Sequence, residues 1–494
     1  MQLGIDFGTT RTVAAVCDRG NTPVVRFERP DGHVVEHIPS LVARGPSGFS
    51  FGWDAADALA EGAPGLRSFK RLLSGTGAGL DQDVVVGGVT VRLHALVVGF
   101  LEHVRDALRD ALPEADGHDL EAMIAVPAGA SSAQRLFTLA AFRDAGFAVA
   151  GILNEPSAAA IEYAHRYRKS VTSRREDVLV YDLGGGTFDA SLVRMSEDRH
   201  EVLAHTGLGD VGGADFDIEL LRLGFTAAGR PDPDDAERTR LLEHAREQKE
   251  GLNPNSRKVL LELGEDDVKV PVHDFYAACA PHVARTLDVL TDLLPTGTDE
   301  RFDTAGLAGV YVVGGGSDLP AVARQLKEVF GRRVKRSQLP SAATAVGLAL
   351  ALQGGISPAL DERFSRNFGV FRELESGERI AFDPILTADL PVPDKGIERT
   401  RRYRAAHNIG WLRFVECDRL GPDDTPDGDV TPFAEVRVAY DPELRGRDLS
   451  QVPVKRLNAP GSLIEETYRV DPEGVVQVRI ADLETGYAVE ARLR

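Results

Sequence analysis

Two stretches of the chain repeat one pattern, and this repetition constrains the fold more than any other feature of the sequence. In residues 3–16 and again in residues 178–193, an apolar stretch leads into Asp-x-Gly, a turn of small residues with threonine, and a second apolar stretch. Each copy predicts a β-hairpin closed by a tight glycine turn. Because Asp6 and Asp182 hold equivalent places in the two copies, the chain is predicted to contain a duplicated fold.

The residues of these turns suit a phosphate group. Glycine lets backbone N–H groups converge on an anion, and threonine hydroxyls add hydrogen-bond donors. An aspartate at the end of a strand can hold Mg²⁺ directly or through water. Two facing hairpins would therefore clamp the phosphates of one nucleotide from both sides. The alternative is a pair of ordinary hairpins that have Asp and Gly in their turns.

A third cluster of glycines, residues 314–316, follows an apolar strand predicted at residues 310–313. Its backbone can approach a flat ligand closely, and Pro320 suits the first turn of a helix predicted at residues 321–330. This cluster is not the strand-GxGxxG-helix fingerprint, and the chain has no GxxxxGK[ST] loop. A Rossmann dehydrogenase and a P-loop NTPase are therefore both disfavoured.

The composition is typical of a soluble globular protein with a strong acidic excess. Lys and Arg number 57 against 76 Asp and Glu, which gives a net charge of −19. So acidic a chain repels polyanions, and we expect neither nucleic acid nor a membrane as a partner. Cys17, Cys279 and Cys417 fit no zinc or redox spacing. With no visible signal peptide or transmembrane segment, a reducing, cytoplasmic setting is expected.

Longer segments resemble the heat-shock 70 (DnaK-type) chaperones of the actin-like ATPase superfamily. Residues 181–193 are similar to that family's second phosphate motif, and residues 152–160 to its connecting motif. Three further segments resemble family motifs in the right order: residues 69–73, residues 124–127 with 133–135, and residues 212–217. The resemblance implies an α/β fold class: a duplicated, two-lobed, ribonuclease-H-like ATPase domain followed by an all-β sandwich-like domain.

The resemblance also implies ATP or ADP with Mg²⁺ as ligands and assigns roles to individual residues. Asp6 and Asp182 would hold the hydrated Mg²⁺, and Lys70 would place its ammonium near the γ-phosphate and the attacking water. Glu155 and Thr187 would order that water. Further contacts to the nucleotide are implied for Gly8, Thr9, Thr10, Arg11, Gly184, Gly185, Gly186, Gly212, Gly213, Glu247, Lys249, Gly314, Gly315, Gly316, Ser317 and Asp318.

The nucleoside end of this implied site departs from the family pattern. The family places Glu, Lys, Arg and Ser on one helix, whereas here Lys249 fits, Glu247 is displaced by one position and Glu250 replaces the arginine. The family's adenine-stacking arginine is Asp318 here, and the aspartate that closes its pocket is Ser341. We therefore expect adenine nucleotide to bind more weakly than is normal for the family.

Composition changes after residue 354, and this change predicts the domain boundaries. We expect a nucleotide-binding domain at residues 1–354, a linker at 355–366 and a β-sandwich substrate-binding-like domain at 367–494. Strands are predicted at residues 407–415, 475–480 and 487–493. No helical segment is left for the family's lid, so we expect a lidless member that releases peptide quickly.

Three functions remain open at this stage. The leading one is an ATP-dependent chaperone, a slow ATPase that regulates binding of unfolded or extended polypeptide by its C-terminal β domain. The alternatives are an ATP-binding scaffold or signalling protein with little hydrolysis, and a small-molecule kinase on the same fold. The resemblance leaves room for a J-domain co-chaperone and a nucleotide-exchange factor as further partners.

Overall fold

The chain forms two compact units. In this computed structural model, the described residues are 1–29, 31–74, 82–115, 117–127, 129–167, 171–172, 174–195, 199–231, 233, 235–264, 266–297, 301–353, 359–361, 366–387, 390, 396–470 and 476–493. Unit 1 is Met1–Leu73, Leu80–Ala128 and Ala140–Leu360, and unit 2 is Ser74–Gly79, Gly129–Leu139 and Asp361–Arg494.

The strands up to residue 361 are β1 Gln2–Phe7, β2 Arg11–Val16, β3 Phe27–Glu28, β4 Val34–Val35, β5 Ile38–Pro39, β6 Leu41–Gly45, β7 Gly48–Phe51, β8 Gly65–Arg67, β9 Asp83–Val86, β10 Val89–Arg92, β11 Glu121–Val126, β12 Ala148–Asn154, β13 Asp177–Leu183, β14 Phe188–Met195, β15 Arg199–Leu208, β16 Lys258–Leu263, β17 Asp266–Pro271, β18 Leu307–Val313, β19 Val334–Arg336 and β20 Ala359–Asp361. The helices are α1 Gly52–Ala60, α2 Leu93–Ala111, α3 Ser132–Asp144, α4 Glu155–Tyr167, α5 Gly213–Ala227, α6 Asp235–Glu250, α7 Val272–Val289, α8 Pro320–Phe330 and α9 Ala343–Leu352.

Two sheets of unit 1 repeat one topology. The first has the strand order β12-β11-β1-β2-β5, and the second has the order β19-β18-β13-β14-β15-β20. In each sheet, an antiparallel hairpin, β1-β2 or β13-β14, continues into two parallel strands on the side of its first strand. The duplicated α/β fold that the repeated motif predicts is therefore confirmed.

Close helix packing fixes the position of α4, which begins immediately after β12. A Cβ on Gly347 of α9 would lie 1.8 Å from the backbone oxygen of Ala158 on α4. A Cβ on Gly4 of β1 would likewise lie 2.2 Å from the backbone oxygen of Ala345. Only glycine permits these approaches, so α9 holds β1 and α4 in place together. Helix α8 starts at Pro320, as the sequence predicts.

Unit 2 contains two four-stranded antiparallel sheets. Its strands are β21 Asn367–Leu374, β22 Arg379–Leu386, β23 Ile397–Arg404, β24 Ile409–Leu420, β25 Pro426–Ala439, β26 Leu463–Val470, β27 Val476–Asp482 and β28 Ala488–Arg492. The sheet orders are β22-β21-β24-β25 and β23-β26-β27-β28. Apolar residues from both sheets, such as Phe368, Phe414 and Tyr468, form one buried cluster. This arrangement confirms the predicted all-β domain.

Some features near the predicted linker and loops differ from expectation or fall outside the described residues. Ala359–Asp361 form β20 at the edge of the second sheet, whereas 355–358 and 362–365 lie outside the described residues. The Pro-, Asp- and Gly-rich segment 421–428 is only partly a loop, because β25 begins at Pro426 and pairs with Leu420. A turn at Gly486, with a φ of +74°, precedes β28, and residues 471–475 lie outside the described residues.

Two further observations concern the pairing of the cysteines and the hydrophobicity of the helices. Cys17, Cys279 and Cys417 form no disulfide bond with one another. Within the described ranges, no helix combines the length and the hydrophobicity that crossing a bilayer requires.

Candidate functional site

The turns of the two repeated hairpins have the same geometry and touch each other. The backbone N–H of Gly8 donates to the Arg11 carbonyl at 3.0 Å, and that of Gly184 donates to the Thr187 carbonyl at 2.9 Å. A Cβ on Gly185 would lie 2.2 Å from the hydroxyl oxygen of Thr10. The second turn therefore needs glycine in order to close on the first, and the predicted pair of facing hairpins is what the structure contains.

A buried lysine lies where these hairpins meet. Lys70, in a 3-10 helix at Phe69–Ser74, is 4% exposed. Its Nζ donates to the backbone oxygen of Phe7, just before the first turn, and at 2.9 Å to Oε1 of Glu155. Glu155 is the first residue of α4, so its carboxylate lies at the positive end of that helix. The sequence-predicted Lys70 and Glu155 are thus brought together.

Four acidic side chains surround this single ammonium: Asp6, Glu155, Asp182 and Asp189. Burial raises the pKa of the Asp6 carboxyl to about 7, Glu155 adds to the rise and Lys70 opposes it. Burial and the Glu155 carboxylate likewise raise the pKa of Asp189 to about 7, although Lys70 and a hydrogen bond with the Thr187 side chain oppose the rise. The pKa of Asp182 is raised well above its usual range by burial and by the other carboxylates. We call these four residues with Lys70 the carboxylate site.

The carboxylate site needs positive charge, and its donor set fits Mg²⁺. Four carboxyl groups face one ammonium, so protons or a cation must neutralise the rest. Across the described part of the chain, no three acidic, histidine or cysteine side chains form a ready-made metal cluster. Mg²⁺ keeps several waters and binds through one or two carboxylates and phosphates, so a direct protein cage is not required.

Two residues near the carboxylate site were missed by the sequence reasoning. Asp189 pairs directly opposite Asp182 across the second hairpin, so the hairpin register could have identified it. Arg71 follows Lys70, and its Nη2 donates to the backbone oxygen of Gly186. That contact joins two segments distant in sequence, and no local pattern predicts it.

The second hairpin continues into the other predicted glycine positions. The N–H of Gly213, at the start of α5, donates to the Gly184 carbonyl at 3.0 Å. A Cβ on Gly212 would lie 2.6 Å from the nitrogen of Gly186. Gly314 has a φ of +83°, and a Cβ there would lie 2.2 Å from Oδ1 of Asp182. These glycines therefore permit close packing of backbone around the second turn.

A cavity of about 1030 Å³, which we call the side cavity, begins beside the second hairpin. Its lining includes Lys249, Glu250, Gly316, Asp318, Arg336 and Gln338. Gly316 places its edge against the turn of the second hairpin, because a Cβ there would lie 2.5 Å from the Gly184 carbonyl oxygen. The volume is ample for a ribose and a base.

Ion pairs occupy many charged groups of the side cavity. Glu250 pairs with Arg11 of the first hairpin and, at 3.0 Å, with Arg246. Burial would raise the pKa of Glu250, but the two guanidinium groups outweigh it and lower the pKa to about 2. Asp318 pairs with Arg336. The acidic residues that replace the expected arginines are thus neutralised by other arginines.

The remaining predicted nucleotide contacts fall into two groups. Lys249 lines the side cavity, and its Nζ donates to the Gly213 carbonyl at 2.7 Å and lies 2.6 Å from Asp217. Glu247 is exposed and is not among the residues that line this cavity. Ser317 is fully buried, and its hydroxyl donates to the Gly314 carbonyl at 2.6 Å. The structure therefore brings Lys249 to the side cavity but gives Ser317 an internal partner.

Comparisons with known proteins identify similar chains. A family model described as "Hsp70 protein" matches residues 99–363, more than half of the chain. The chain is 33% identical over 517 aligned positions to the chaperone protein HscA of Escherichia fergusonii, covering 100% of this chain and 78% of that protein. It is 31% identical over 369 positions to the chaperone protein DnaK of Mesomycoplasma hyopneumoniae strain J, covering 72% of this chain and 58% of that protein.

Proposed function

The chain belongs to the Hsp70 family, and from that premise we propose that it is an ATP-dependent chaperone. Unit 1 hydrolyses ATP slowly, and this hydrolysis regulates the binding of unfolded or extended polypeptide by unit 2. The matched DnaK and HscA proteins are both named as chaperone proteins. The chain spans 58% of the DnaK relative's length, so activity, substrate and partners are all part of the proposal.

The observation that carries the proposal is the position of Lys70 between the two hairpins. Its ammonium is held by the Phe7 carbonyl and, at 2.9 Å, by the Glu155 carboxylate, among otherwise acidic groups. A buried, compact cation beside two anion-binding turns suits a transferring phosphoryl group. Phosphoryl transfer needs positioning and charge neutralisation more than covalent chemistry, and these residues supply both.

We assign the residues as follows. The turns at residues 8–11 and 184–187 hold the phosphates through backbone N–H groups and hydroxyls. Asp6 and Asp182 would hold Mg²⁺, which when bound would neutralise phosphate charge. Glu155 and Thr187 orient the attacking water, and Lys70 stabilises the charge that develops on the phosphate. The ribose and base occupy the side cavity, next to Lys249.

Unit 2 offers sheet edges to a polypeptide. By the strand orders of its described residues, β22 and β25 are the outer strands of one sheet, and β23 and β28 are those of the other. An extended peptide can add to such an edge through backbone hydrogen bonds, with side-chain pockets giving selectivity. A J-domain co-chaperone, a nucleotide-exchange factor and the cytoplasmic setting stay predictions.

Single-turnover hydrolysis of ATP tests the proposal, with and without an unfolded client protein. Lys70→Ala should lower the hydrolysis rate by about 100-fold or more, because a preorganised charge is lost from a buried site. Lys269→Ala, which removes an exposed lysine of β17, is the matched control and should hydrolyse at the parent rate.

Two results would contradict this function. Equal hydrolysis by the parent and by Lys70→Ala would remove the catalytic assignment. Tight ATP binding without measurable hydrolysis by the parent would favour the alternative of an ATP-binding scaffold. A client that neither changes the hydrolysis rate nor binds in a nucleotide-dependent way would leave an ATPase but not a chaperone.

A further inference from the structure

One side chain of the side cavity has hydrogen-bonding capacity that the ion pairs do not use. Gln338 lies between β19 and a 3-10 helix at Pro340–Ala342 and lines the side cavity. Its Oε1 accepts a hydrogen bond of 2.8 Å from Nη1 of Arg166. Gln338 is an exposed residue, so its amide nitrogen stays accessible to a ligand. By contrast, Asp318 and Arg336 bond to each other.

The orientation of the Gln338 amide is fixed by chemistry as well as by distance. A guanidinium only donates hydrogen bonds, so the amide atom that faces Arg166 must be the oxygen. This leaves two hydrogens on Nε2 and one lone pair on Oε1 for a ligand. The amide therefore offers one donor and one acceptor side by side, in a known order.

Arg166 is itself held by a buried network. Its Nε pairs with Oε1 of Glu162, a residue that is 1% exposed. The other oxygen of Glu162 accepts a hydrogen bond from the hydroxyl of Tyr311, which is fully buried in β18. Removing one partner from such a buried pair is costly, so Arg166 has little freedom to release Gln338.

We propose that Gln338 is a specificity-determining residue that selects adenine, and that Glu162 and Arg166 are its positioning residues. The inference rests on the proposed nucleotide binding. A glutamine amide matches adenine, because its nitrogen donates to N7 while its oxygen accepts from the 6-amino group. Guanine presents two acceptors, O6 and N7, along the same edge. With guanine, the oxygen of Gln338 would face O6, so two acceptors would oppose each other. The hydrogen bond from Arg166 hinders the rotation of the Gln338 amide that would place its nitrogen opposite O6 instead.

The same helix serves the base and the phosphates. Helix α4 starts with Glu155 of the carboxylate site and carries Glu162 and Arg166 further along. With a rise of about 1.5 Å per residue, Glu162 lies about 10 Å along the axis from Glu155. Base recognition through Gln338 is therefore anchored to the element that positions the proposed catalytic carboxylate.

Isothermal titration of the full chain with ADP and GDP tests the inference. The parent should bind ADP more tightly than GDP, and Gln338→Leu should lose about tenfold of that preference, the effect of one good bidentate contact to a base. Gln451→Leu, a matched surface change in unit 2, should keep the parent's preference. Arg166→Lys keeps a cation beside Glu162 but loses the planar fork that holds Gln338, so it should lose part of the preference.

7-Deaza-ADP sharpens the test, because it lacks the N7 acceptor. The parent should bind it more weakly than ADP, whereas Gln338→Leu should bind both equally. Equal binding of ADP and GDP by the parent, or an undiminished preference in Gln338→Leu, would overturn the inference while leaving nucleotide binding intact. A parent that binds none of these nucleotides would overturn the proposed function, and this inference with it.

Discussion

The carboxylate site gathers four acidic side chains around one lysine beside two backbone turns, whereas several charged side chains at the side cavity are paired with arginines. Asp6 and Asp182 end equivalent strands of two sheets with the same topology. At the side cavity, Glu250 pairs with both Arg11 and Arg246, and Asp318 pairs with Arg336. The first arrangement is set by the backbone, and the second by side-chain pairing.

The two sites differ in how far their charged groups are paired within the protein. The carboxylate site has one ammonium for four carboxyl groups, and burial raises the pKa of Asp6 and Asp189 to about 7. Glu250 in the side cavity has a pKa lowered to about 2, because two guanidinium groups face it. We therefore expect binding energy to come mainly from phosphates and metal, and selectivity from the base.

The largest effect should come from Glu155→Gln at the carboxylate site. The variant keeps the shape of Glu155 but removes the charge that pairs with Lys70 at 2.9 Å and that we propose orients the attacking water. We expect single-turnover hydrolysis to fall by about 100-fold, the usual size of a lost general-base or positioning group. Nucleotide affinity should change little, because the turns proposed to hold the phosphates are untouched.

Glu61→Gln is the matched control for this experiment. Glu61 is an exposed residue after α1, and its loss should leave hydrolysis unchanged. A Glu155→Gln rate within a few-fold of the parent rate would show that the carboxylate site does not carry the chemistry.

An intermediate effect should come from Asp189→Asn, which we expect to change thermal stability and nucleotide binding in opposite directions. An unfolded carboxyl ionises near 3.8, whereas buried Asp189 holds its proton up to about 7. The native protein thus binds more protons between these values, and its free energy of unfolding falls as the pH rises through this window. The ligand-free variant should therefore have a higher Tm than the parent above pH 7, but bind Mg²⁺-ATP more weakly.

Asp210→Asn is the control, and its Tm near neutral pH should change in the opposite direction. The hydrogen bond from Arg285 lowers the pKa of this exposed carboxyl, so its small contribution to stability is present above its usual pKa and is lost on acidification. Its replacement should slightly lower the Tm near neutral pH. A lower Tm for Asp189→Asn under the same conditions would contradict the excess of buried negative charge in the carboxylate site.

The same contrast explains what the sequence could predict. The two hairpins and the all-β second unit follow from local patterns of apolar alternation and glycine turns, whereas the two-lobed architecture was implied by the family resemblance. Asp189 was accessible in principle, because the turn fixes the register that sets it opposite Asp182. Family membership supports the fold, while the individual site roles stay proposals.

Partners of long side chains could not be predicted in this way. Arg11 and Glu250 lie far apart in the chain but pair in space. Glu247 was a candidate because it lies one position from the family's glutamate. Two residues apart on α6, Glu247 and Lys249 point in different directions, so Glu247 is exposed whereas Lys249 lines the side cavity. The Glu162–Arg166–Gln338 network joins α4 to a loop more than 170 residues later, and only the folded arrangement of α4, β18 and β19 brings these residues together.

The smallest effect should come from Glu250→Gln, which tests whether the ion pairs of the side cavity restrain the nucleotide. Glu250 links Arg11 of the first hairpin to Arg246 of α6, but its side chain is 41% exposed, so the link is worth about 1 kcal/mol or less. Release of a fluorescent ADP analogue, followed by stopped flow, should accelerate by about threefold at low salt and converge with the parent at high salt. Glu398→Gln breaks an exposed pair with Arg469 in unit 2 and should leave release unchanged. An unaltered release rate in Glu250→Gln at low salt would mean that the ion pairs only replace the charges of the family pattern and do not hold the nucleotide in place.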